Sequence, residues 1–428
     1  MTSVDISAGL APAPQGASRR RAWGIALLCF LTVTLDGYDT TAIGFVVPTL
    51  AQVWQLPGAA FTPAFMATSA GAVLGYMLSG RLSAALGRRR AMLLTVAWFG
   101  LGSLATIAAQ GVVSLSVLRL LTGVGLGAVL PAAASLAVEQ FAPRHREQVA
   151  IGVVAGLSVG AVLGGMVGSA LITHGGWGAV FGLGGVLPLA LLPCLYWGLP
   201  RDEPQAPVGG AVGSAAAGLQ AQGRVAALFS DGQGGRTALI WTFAFLVFSA
   251  TYAMQLWMPT LLGSFGFTAA QSPKAVAALG LGGLTGAALL IGLASVLGVF
   301  LALPILLMLT LLAMCALALL PLGPTGVLWA VACMGVGLIG GCLGQAAMAV
   351  SLYAPAQRTS GVGWAAAWGR MGSIAGPALG GLMLASDWGP REIVLYTCIP
   401  VLAAMAVVLY LGLALNRGRQ PGIDPAEA

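Results

Sequence analysis

Long apolar runs recur along the whole chain and limit what it can fold into. A helix needs about 20 mostly apolar residues to cross a bilayer, and in lipid its backbone satisfies its own hydrogen bonds. Of the 428 residues, 58% are hydrophobic and 7% are charged, whereas a soluble domain carries about 25% charged residues. We therefore predict an all-α integral membrane protein. The runs predict twelve transmembrane helices, near 22–47, 60–79, 91–109, 114–138, 148–172, 177–199, 237–262, 273–295, 297–320, 324–352, 359–385 and 390–415.

The placement of the basic residues predicts the orientation. Arginines cluster in the stretches 19–21, 81–90, 144–146, 201–236 and 417–419, and another arginine stands at 358. With twelve spans, these stretches and both termini fall on one side. Basic residues favour the cytoplasmic side, so we expect a multi-pass protein of the inner (plasma) membrane with both termini in the cytoplasm. The net charge of +7 is then a signal of topology, and we expect no nucleic-acid partner.

Chemical motifs of enzymes do not occur in the sequence. The six cysteines lie singly in apolar spans, and none forms a C-x-x-C pair. There is no metal-ligand cluster, phosphate-binding loop or nucleophile triad. We therefore predict a protein that is not an enzyme and needs no cofactor or metal.

The second half of the chain repeats the first. Pro48-Thr49-Leu50 ends the first span, and Pro259-Thr260-Leu261 ends the seventh, 211 positions later; Gly87 falls on Gly298 at the same offset. Six spans per half give both halves the same orientation, as in transporters built from parallel repeats. The predicted parts are a tail (1–21), an N-terminal six-helix bundle (22–199), a cytoplasmic linker with a short helix near 217–229 (200–236), a C-terminal six-helix bundle (237–416) and a second tail (417–428).

Glycines four residues apart mark one face of the fifth span, from Gly152 to Gly168, and of the eleventh, at Gly372, Gly376 and Gly380. Small residues at this spacing let another helix approach closely. We expect static packing from these faces and predict that they also form the seam between the two halves.

Four charges lie deep within the spans, and the repeat does not duplicate them. Asp36 and Asp39 stand three residues apart in the first span, Arg119 lies in the fourth, and Arg370 lies near the middle of the eleventh. A charge at this depth costs from about 2.5 kcal/mol upward, so such residues are candidates for function. A structural ion pair between helices is the alternative.

Several motifs resemble those of the major facilitator superfamily over nearly the whole chain. "GRLSAALGRRR" (80–90) resembles its second-loop motif, and "RLLTGVGLG" (119–127) its fourth-span motif. "LDGYD" (35–39), "YAMQLWMPTLL" (252–262) and "SGVGWAAAWGRMGSIAGPALGG" (360–381) look more specifically like the aromatic acid:proton symporters. The resemblance implies the major facilitator fold and, as partners, a small organic acid, protons and the lipid bilayer. We expect a monomer.

We combine the charges with this resemblance to select candidate residues. For proton coupling they are Asp36, Asp39 and Arg119. For the substrate, Arg370 would bind the carboxylate, and Tyr252, Trp257, Trp364 and Trp368 would contact the ring. The cytoplasmic gate would comprise Gly80, Arg81, Gly87, Arg88, Arg89, Glu139 and Arg146.

The sequence departs from the superfamily pattern at Ala84, where the loop motif usually has an acid that helps to latch the gate. Two other functions remain open. One is a proton-driven exporter, although exporters of the superfamily tend to carry Gly-Pro in the fifth span, where this chain has Gly160-Ala161. The other is a membrane sensor of aromatic acids that does not transport them.

Overall fold

The computed structural model describes residues 17–201, 228–229, 233–353 and 357–417. Within these ranges the chain forms eleven long α-helices, three short 3-10 turns and no β-strand. The helices are α1 (Ala17–Trp54), α2 (Thr62–Leu86), α3 (Arg88–Thr106), α4 (Val112–Glu139), α5 (Pro143–Gly198), α6 (Gly234–Leu261), α7 (Pro273–Leu297), α8 (Val299–Leu319), α9 (Pro324–Leu352), α10 (Arg358–Ala385) and α11 (Pro390–Arg417). We call α1–α5 the N-terminal bundle and α6–α11 the C-terminal bundle.

Helix α5 contains a break that divides it into two segments. Gly176 has φ 69° and ψ −175°, a backbone conformation that glycine adopts without the steric cost of a Cβ. The break lies between the predicted fifth and sixth spans. The eleven helices are thus consistent with the twelve predicted membrane crossings.

Most of the helices are suited to a bilayer by length and composition. Eight stretches of the described residues qualify, one of which, Gln148–Gly198, contains both segments of α5. The other three helices, α1, α3 and α10, carry charged residues such as Asp36, Arg88 and Arg370. Two of these helices, α1 and α10, carry three of the four charges predicted at membrane depth, Asp36, Asp39 and Arg370.

Equivalent glycines turn the chain in the same way in the two bundles. Gly87, between α2 and α3, has φ 85° and ψ 160°, and Gly298, between α7 and α8, has φ 78° and ψ 158°. A residue with a Cβ rarely adopts such a φ. The pair therefore supports the repeat that the sequence predicts, and it separates α7 from α8 where no charge marks the boundary.

The glycine stripes pack helices within each bundle. A Cβ at Gly160 would clash with the backbone carbonyl of Thr34 on α1, and one at Gly376 would clash with that of Ser249 on α6. The prediction that the stripes form the seam between the halves was wrong for these positions. The last glycine of the α5 stripe, Gly168, does face the other bundle, since a Cβ there would meet the side chain of Pro273 on α7. Gly165, on another face of α5, also approaches α7, where a Cβ would meet the Pro273 carbonyl.

The contacts between the two bundles lie in the middle of the helices and at one of their two ends. We call this end, where α1 finishes, the outer side, because it faces outward in the predicted orientation. Ser272 Oγ donates a hydrogen bond to the Phe45 carbonyl oxygen at 2.9 Å. The rings of Phe65 on α2 and Trp257 on α6 pack edge to face, with centroids 4.7 Å apart. These contacts close the outer side.

The helix ends refine the predicted boundaries. Helix α1 begins at Ala17 and α6 at Gly234, several residues before the predicted spans. Residues 1–16, 202–227, 230–232, 354–356 and 418–428 lie outside the described residues. The short helix predicted near 217–229 therefore lies mostly outside them, although Leu228 and Phe229 are helical.

Candidate functional site

A cavity partly open to solvent lies between the two bundles near the middle of the helices, and its empty space together with the adjoining solvent is about 640 Å³. We call it the central cavity. Helices α1, α2, α4 and α5 line it on one side, and α6 and α10 on the other. Its lining residues are Asp36, Thr40, Thr68, Ser69, Ala72, Leu126, Gly127, Leu130, Leu157, Tyr252, Gln255, Leu256, Arg370 and Ser373.

Arg370 brings a positive charge into the central cavity from α10. Its Nη1 donates a long hydrogen bond of 3.4 Å to the Tyr252 hydroxyl, and its Cζ lies 5.4 Å from the ring centroid of Tyr76 on α2. No carboxylate in the described part of the chain forms an ion pair with Arg370. The planar guanidinium can therefore receive a ligand carboxylate through two parallel hydrogen bonds.

Asp36 lines the same cavity from α1, in the opposite bundle. Its side chain is buried, with 4% of the residue exposed, and Oδ1 accepts a hydrogen bond of 3.1 Å from Thr40 Oγ1. Removal from water disfavours the charged form of a carboxylic acid. The cavity thus combines a guanidinium that attracts anions with a carboxyl group that can hold a proton.

Asp39 does not line the cavity but lies inside the N-terminal bundle. Arg119 Nη1 forms an ion pair with Asp39 Oδ2 at 3.1 Å, and both side chains are fully buried. Ser103 Oγ donates to Asp39 Oδ1 at 2.5 Å, and Arg119 Nη2 donates to Thr106 Oγ1 at 3.1 Å. The Arg119 guanidinium also lies 4.8 Å from the ring centroid of Phe181. This network joins α1, α3, α4 and α5.

Of the four predicted aromatic contacts, Tyr252 is the one that lines the central cavity. Trp257 is fully buried, and its Nε1 donates to the Pro377 carbonyl oxygen at 2.9 Å. Trp364 and Trp368 both stack on Trp241, with centroid distances of 5.9 and 5.5 Å. These three tryptophans pack α10 against α6 outside the cavity lining, so the structure does not bring them together with Arg370.

Two of the predicted gate arginines make contacts within the N-terminal bundle. Arg88 forms an ion pair with Glu139 at the end of α4. Arg89 donates to the Tyr196 carbonyl oxygen, and its Cζ lies 4.6 Å from the Tyr196 ring centroid. The first turn of α3 is thereby connected to the ends of α4 and α5.

The other predicted gate residues lie around the same helix ends, opposite the outer side. Arg146 Nε donates to the Phe141 carbonyl oxygen at 3.1 Å. Arg81 and Ala84 are exposed, Gly80 is partly buried, and Gly87 makes the turn between α2 and α3. These contacts of Arg88, Arg89 and Arg146 lie within the N-terminal bundle, and the cytoplasmic gate remains a prediction.

The sequence analysis missed several cavity residues. Thr68, Ser69 and Gln255 line the cavity, and Tyr76 lies over Arg370. Each is a polar or aromatic residue within an apolar span, at a depth comparable to that of the selected charges. Selecting every polar residue deep in a membrane span would have included these residues. It would also have included many polar residues whose side chains only form hydrogen bonds within their own helix.

The chain is similar to proteins of known type over most of its length. The family model described as Major Facilitator Superfamily matches residues 29–355. The gallate transporter of Pseudomonas putida is 32% identical, and the match covers 92% of this chain and 93% of that protein. The 4-hydroxybenzoate transporter of Pseudomonas aeruginosa is 32% identical, with 91% and 92% covered. The 3-(3-hydroxy-phenyl)propionate transporter of Escherichia coli is 33% identical, with 90% and 92% covered.

Solved structures share the fold at lower identity. A bacterial homologue of the human lysosomal transporter Spinster superposes with a TM-score of 0.69 at 17% identity, covering 94% of this chain and 99% of that one. A D-xylose-proton symporter superposes with a TM-score of 0.68 at 16% identity, covering 90% and 97%.

Proposed function

The chain belongs to the Major Facilitator Superfamily, and on that premise we propose that it imports a small aromatic carboxylate together with protons across the inner membrane. It is a membrane transporter and not an enzyme. The relatives named for gallate, 4-hydroxybenzoate and hydroxyphenylpropionate transport support an aromatic acid as the substrate. Both termini would lie in the cytoplasm.

The observation that carries the proposal is the placement of Arg370 in the central cavity. Its guanidinium has no ion-pair partner among the described carboxylates, and Tyr252 and Tyr76 lie beside it. A substrate carboxylate would bind the guanidinium, and its ring would lie near the two tyrosine rings. Thr68, Ser69 and Gln255 would offer hydrogen bonds to substituents on that ring.

Asp36 would couple the proton to the substrate. A charged Asp36 in the same cavity repels a substrate anion, whereas the protonated form does not. Substrate binding therefore favours proton uptake, and proton uptake favours substrate binding to the same extent. The Asp39–Arg119 pair would hold α1 in position while Asp36 changes its charge.

Transport would proceed by alternating access of the two bundles. The outer contacts, such as Ser272 with Phe45, correspond to a state that is closed to the outside. To accept substrate from outside, these contacts would separate. The cytoplasmic ends that carry Arg81 and Arg88 would then approach the C-terminal bundle.

Counterflow in proteoliposomes tests this function. Vesicles loaded with unlabelled 4-hydroxybenzoate should transiently accumulate the labelled acid from outside, and vesicles with the Arg370→Ala variant should not. Arg391→Ala removes an exposed arginine outside the cavity and is the matched control. The acid should be varied to include gallate, hydroxyphenylpropionate and a non-aromatic acid.

Each alternative predicts a different result. A sensor that does not transport would bind an aromatic acid in calorimetry and show no counterflow. An exporter would show counterflow, but a proton gradient directed inward would drive its substrate out of the vesicles. Correctly folded wild-type protein that neither binds nor exchanges any aromatic acid would contradict the proposal.

A further inference from the structure

A pocket open to solvent lies at the cytoplasmic end of the N-terminal bundle, away from the central cavity, and its empty space together with the adjoining solvent is about 580 Å³. Its lining residues are Arg89, Arg90, Leu93, Tyr196 and Arg201, and we call it the arginine pocket. The first turns of α3 form one wall, and the end of α5 forms the other. We propose that the arginine pocket binds the phosphate headgroup of an anionic membrane lipid.

The chemistry of the pocket matches a phosphate group. Three of its five lining residues are arginines, and a guanidinium binds phosphate oxygens through paired, charge-assisted hydrogen bonds. Arg89 is held in place by the carbonyl oxygen and the ring of Tyr196. The pocket also lies at the N-terminus of α3, where the helix dipole favours an anion. Basic pockets between helices on the cytoplasmic side are a known setting for lipid headgroups.

The position of the pocket selects a lipid over a soluble anion. Tyr196 and the adjacent Trp197 are 55% and 78% exposed, as aromatic residues at the level of the headgroups are. Further along α3, towards the middle of the bilayer, Leu94 and Trp98 are also exposed. They continue from Leu93 as an apolar surface along which acyl chains would lie. A lipid would thus fill the pocket with its headgroup and cover this surface with its chains.

A bound lipid would join α3 to the end of α5 next to the Arg88–Glu139 ion pair. Asp202 and Glu203, which follow Arg201 in the sequence, lie outside the described residues. The proposal does not depend on which substrate the central cavity carries. Its test can therefore fail or succeed independently of the proposed transport function.

Lipid retention in native mass spectrometry tests the proposal. The full-length protein is purified in detergent and titrated with phosphatidylglycerol or phosphatidylcholine. We expect phosphatidylglycerol to be retained in preference, and Arg90→Gln/Arg201→Gln to weaken its binding roughly tenfold or more. Arg19→Gln/Arg20→Gln removes the same number of exposed cytoplasmic charges outside the pocket and should leave binding unchanged. Thermal unfolding of each variant checks that it is folded.

Three results would overturn the proposal. One is equal retention of the two lipids by the wild-type protein. Another is an equal loss of binding in the pocket variant and in the control. The third is displacement of phosphatidylglycerol by millimolar inorganic phosphate, since the pocket would then be a site for soluble phosphate.

Discussion

At the scale of single residues, Asp36 and Asp39 face different surroundings although they are three residues apart on α1. Their directions differ by about 60° around the helix. Asp36 points into the central cavity, and Asp39 points into the N-terminal bundle, where it pairs with Arg119. One carboxyl group can meet protons and substrate, while the other is already neutralised by a buried cation.

Asparagine at position 36 would imitate the protonated aspartic acid. In Asp36→Asn we expect substrate binding to persist and to lose its pH dependence, whereas wild-type affinity should rise as the pH falls. Accumulation driven by a proton gradient should disappear, and exchange without a gradient should survive. Calorimetric binding at several pH values and uptake into proteoliposomes measure these effects. Gradient-driven accumulation in Asp36→Asn would show that the coupling proton binds elsewhere.

Removal of Asp39 should affect mainly stability. Asp39→Asn leaves the fully buried Arg119 without its carboxylate, and breaking a buried ion pair costs about 3–5 kcal/mol. We expect a lower thermal unfolding temperature and less folded protein in the membrane. Asp39→Asn/Arg119→Gln, which removes both charges, should recover part of the loss. If the single variant is as stable as the wild type and loses only proton coupling, Asp39 is a coupling residue instead.

The forked shape of the Arg370 guanidinium, as well as its charge, should contribute to the affinity for a substrate carboxylate. Arg370→Lys keeps the charge but loses the paired hydrogen bonds to a carboxylate. A hydrogen bond to a charged group is worth about 1.5–3 kcal/mol, so affinity should fall roughly tenfold to a hundredfold. Calorimetry with 4-hydroxybenzoate measures the change, and Arg391→Lys serves as the control. Unchanged affinity in Arg370→Lys would place the carboxylate partner elsewhere in the cavity.

At the scale of helices, the glycine stripe of α5 sets how closely that helix approaches α1. A Cβ at Gly160 would overlap the Thr34 carbonyl, whereas one at Gly152 would meet no atom within 4 Å. We expect Gly160→Ala to lower the unfolding temperature in detergent, because the two helices must move apart. Gly152→Ala, the same change on the same helix, should leave the unfolding temperature unchanged or slightly higher. Equal effects of the two substitutions would refute this packing role.

The sequence predicted the positions of the helices better than it predicted which helices pack against each other. Hydropathy located most of the helices to within a few residues, because it is a local signal, but the turns at Gly87, Gly176 and Gly298 were not predicted. The spacing of Gly160 and Gly376 predicted a close helix contact but not the identity of the partner. A stripe of small residues accepts any helix, and the partner is decided by how the whole bundle closes.

For the candidate site, too, the sequence indicated residues but not all of their neighbours in space. The sequence selected Arg370, Asp36 and Tyr252, and the structure places all three around one cavity. The sequence could not show that Asp36 lines the cavity and Asp39 does not. The two side chains leave the helix only about 60° apart, and the edge of the cavity lies between them. The sequence could not separate Tyr252 from Trp364 and Trp368 either, since an aromatic residue is equally suited to packing helices and to contacting a ring.

At the scale of the whole molecule, the two bundles meet on the outer side and enclose charges from both. Asp36 comes from the N-terminal bundle and Arg370 from the C-terminal bundle. Any rocking of the bundles therefore changes the distance between the proposed proton site and the proposed substrate site. This arrangement is why a proton and a substrate anion in the cavity would influence the same conformational change.

Substrate-dependent proton entry into proteoliposomes tests this coupling most directly. A pH-sensitive dye is enclosed in vesicles, and 4-hydroxybenzoate is added outside at a pH where the free acid is almost fully ionised. Vesicles with Arg370→Ala protein correct for passive entry of the undissociated acid. We predict faster acidification of the lumen with wild-type protein than with this control, and no difference once a protonophore is present. Wild-type protein that takes up labelled 4-hydroxybenzoate faster than the control, without any additional proton entry, would contradict proton-coupled import.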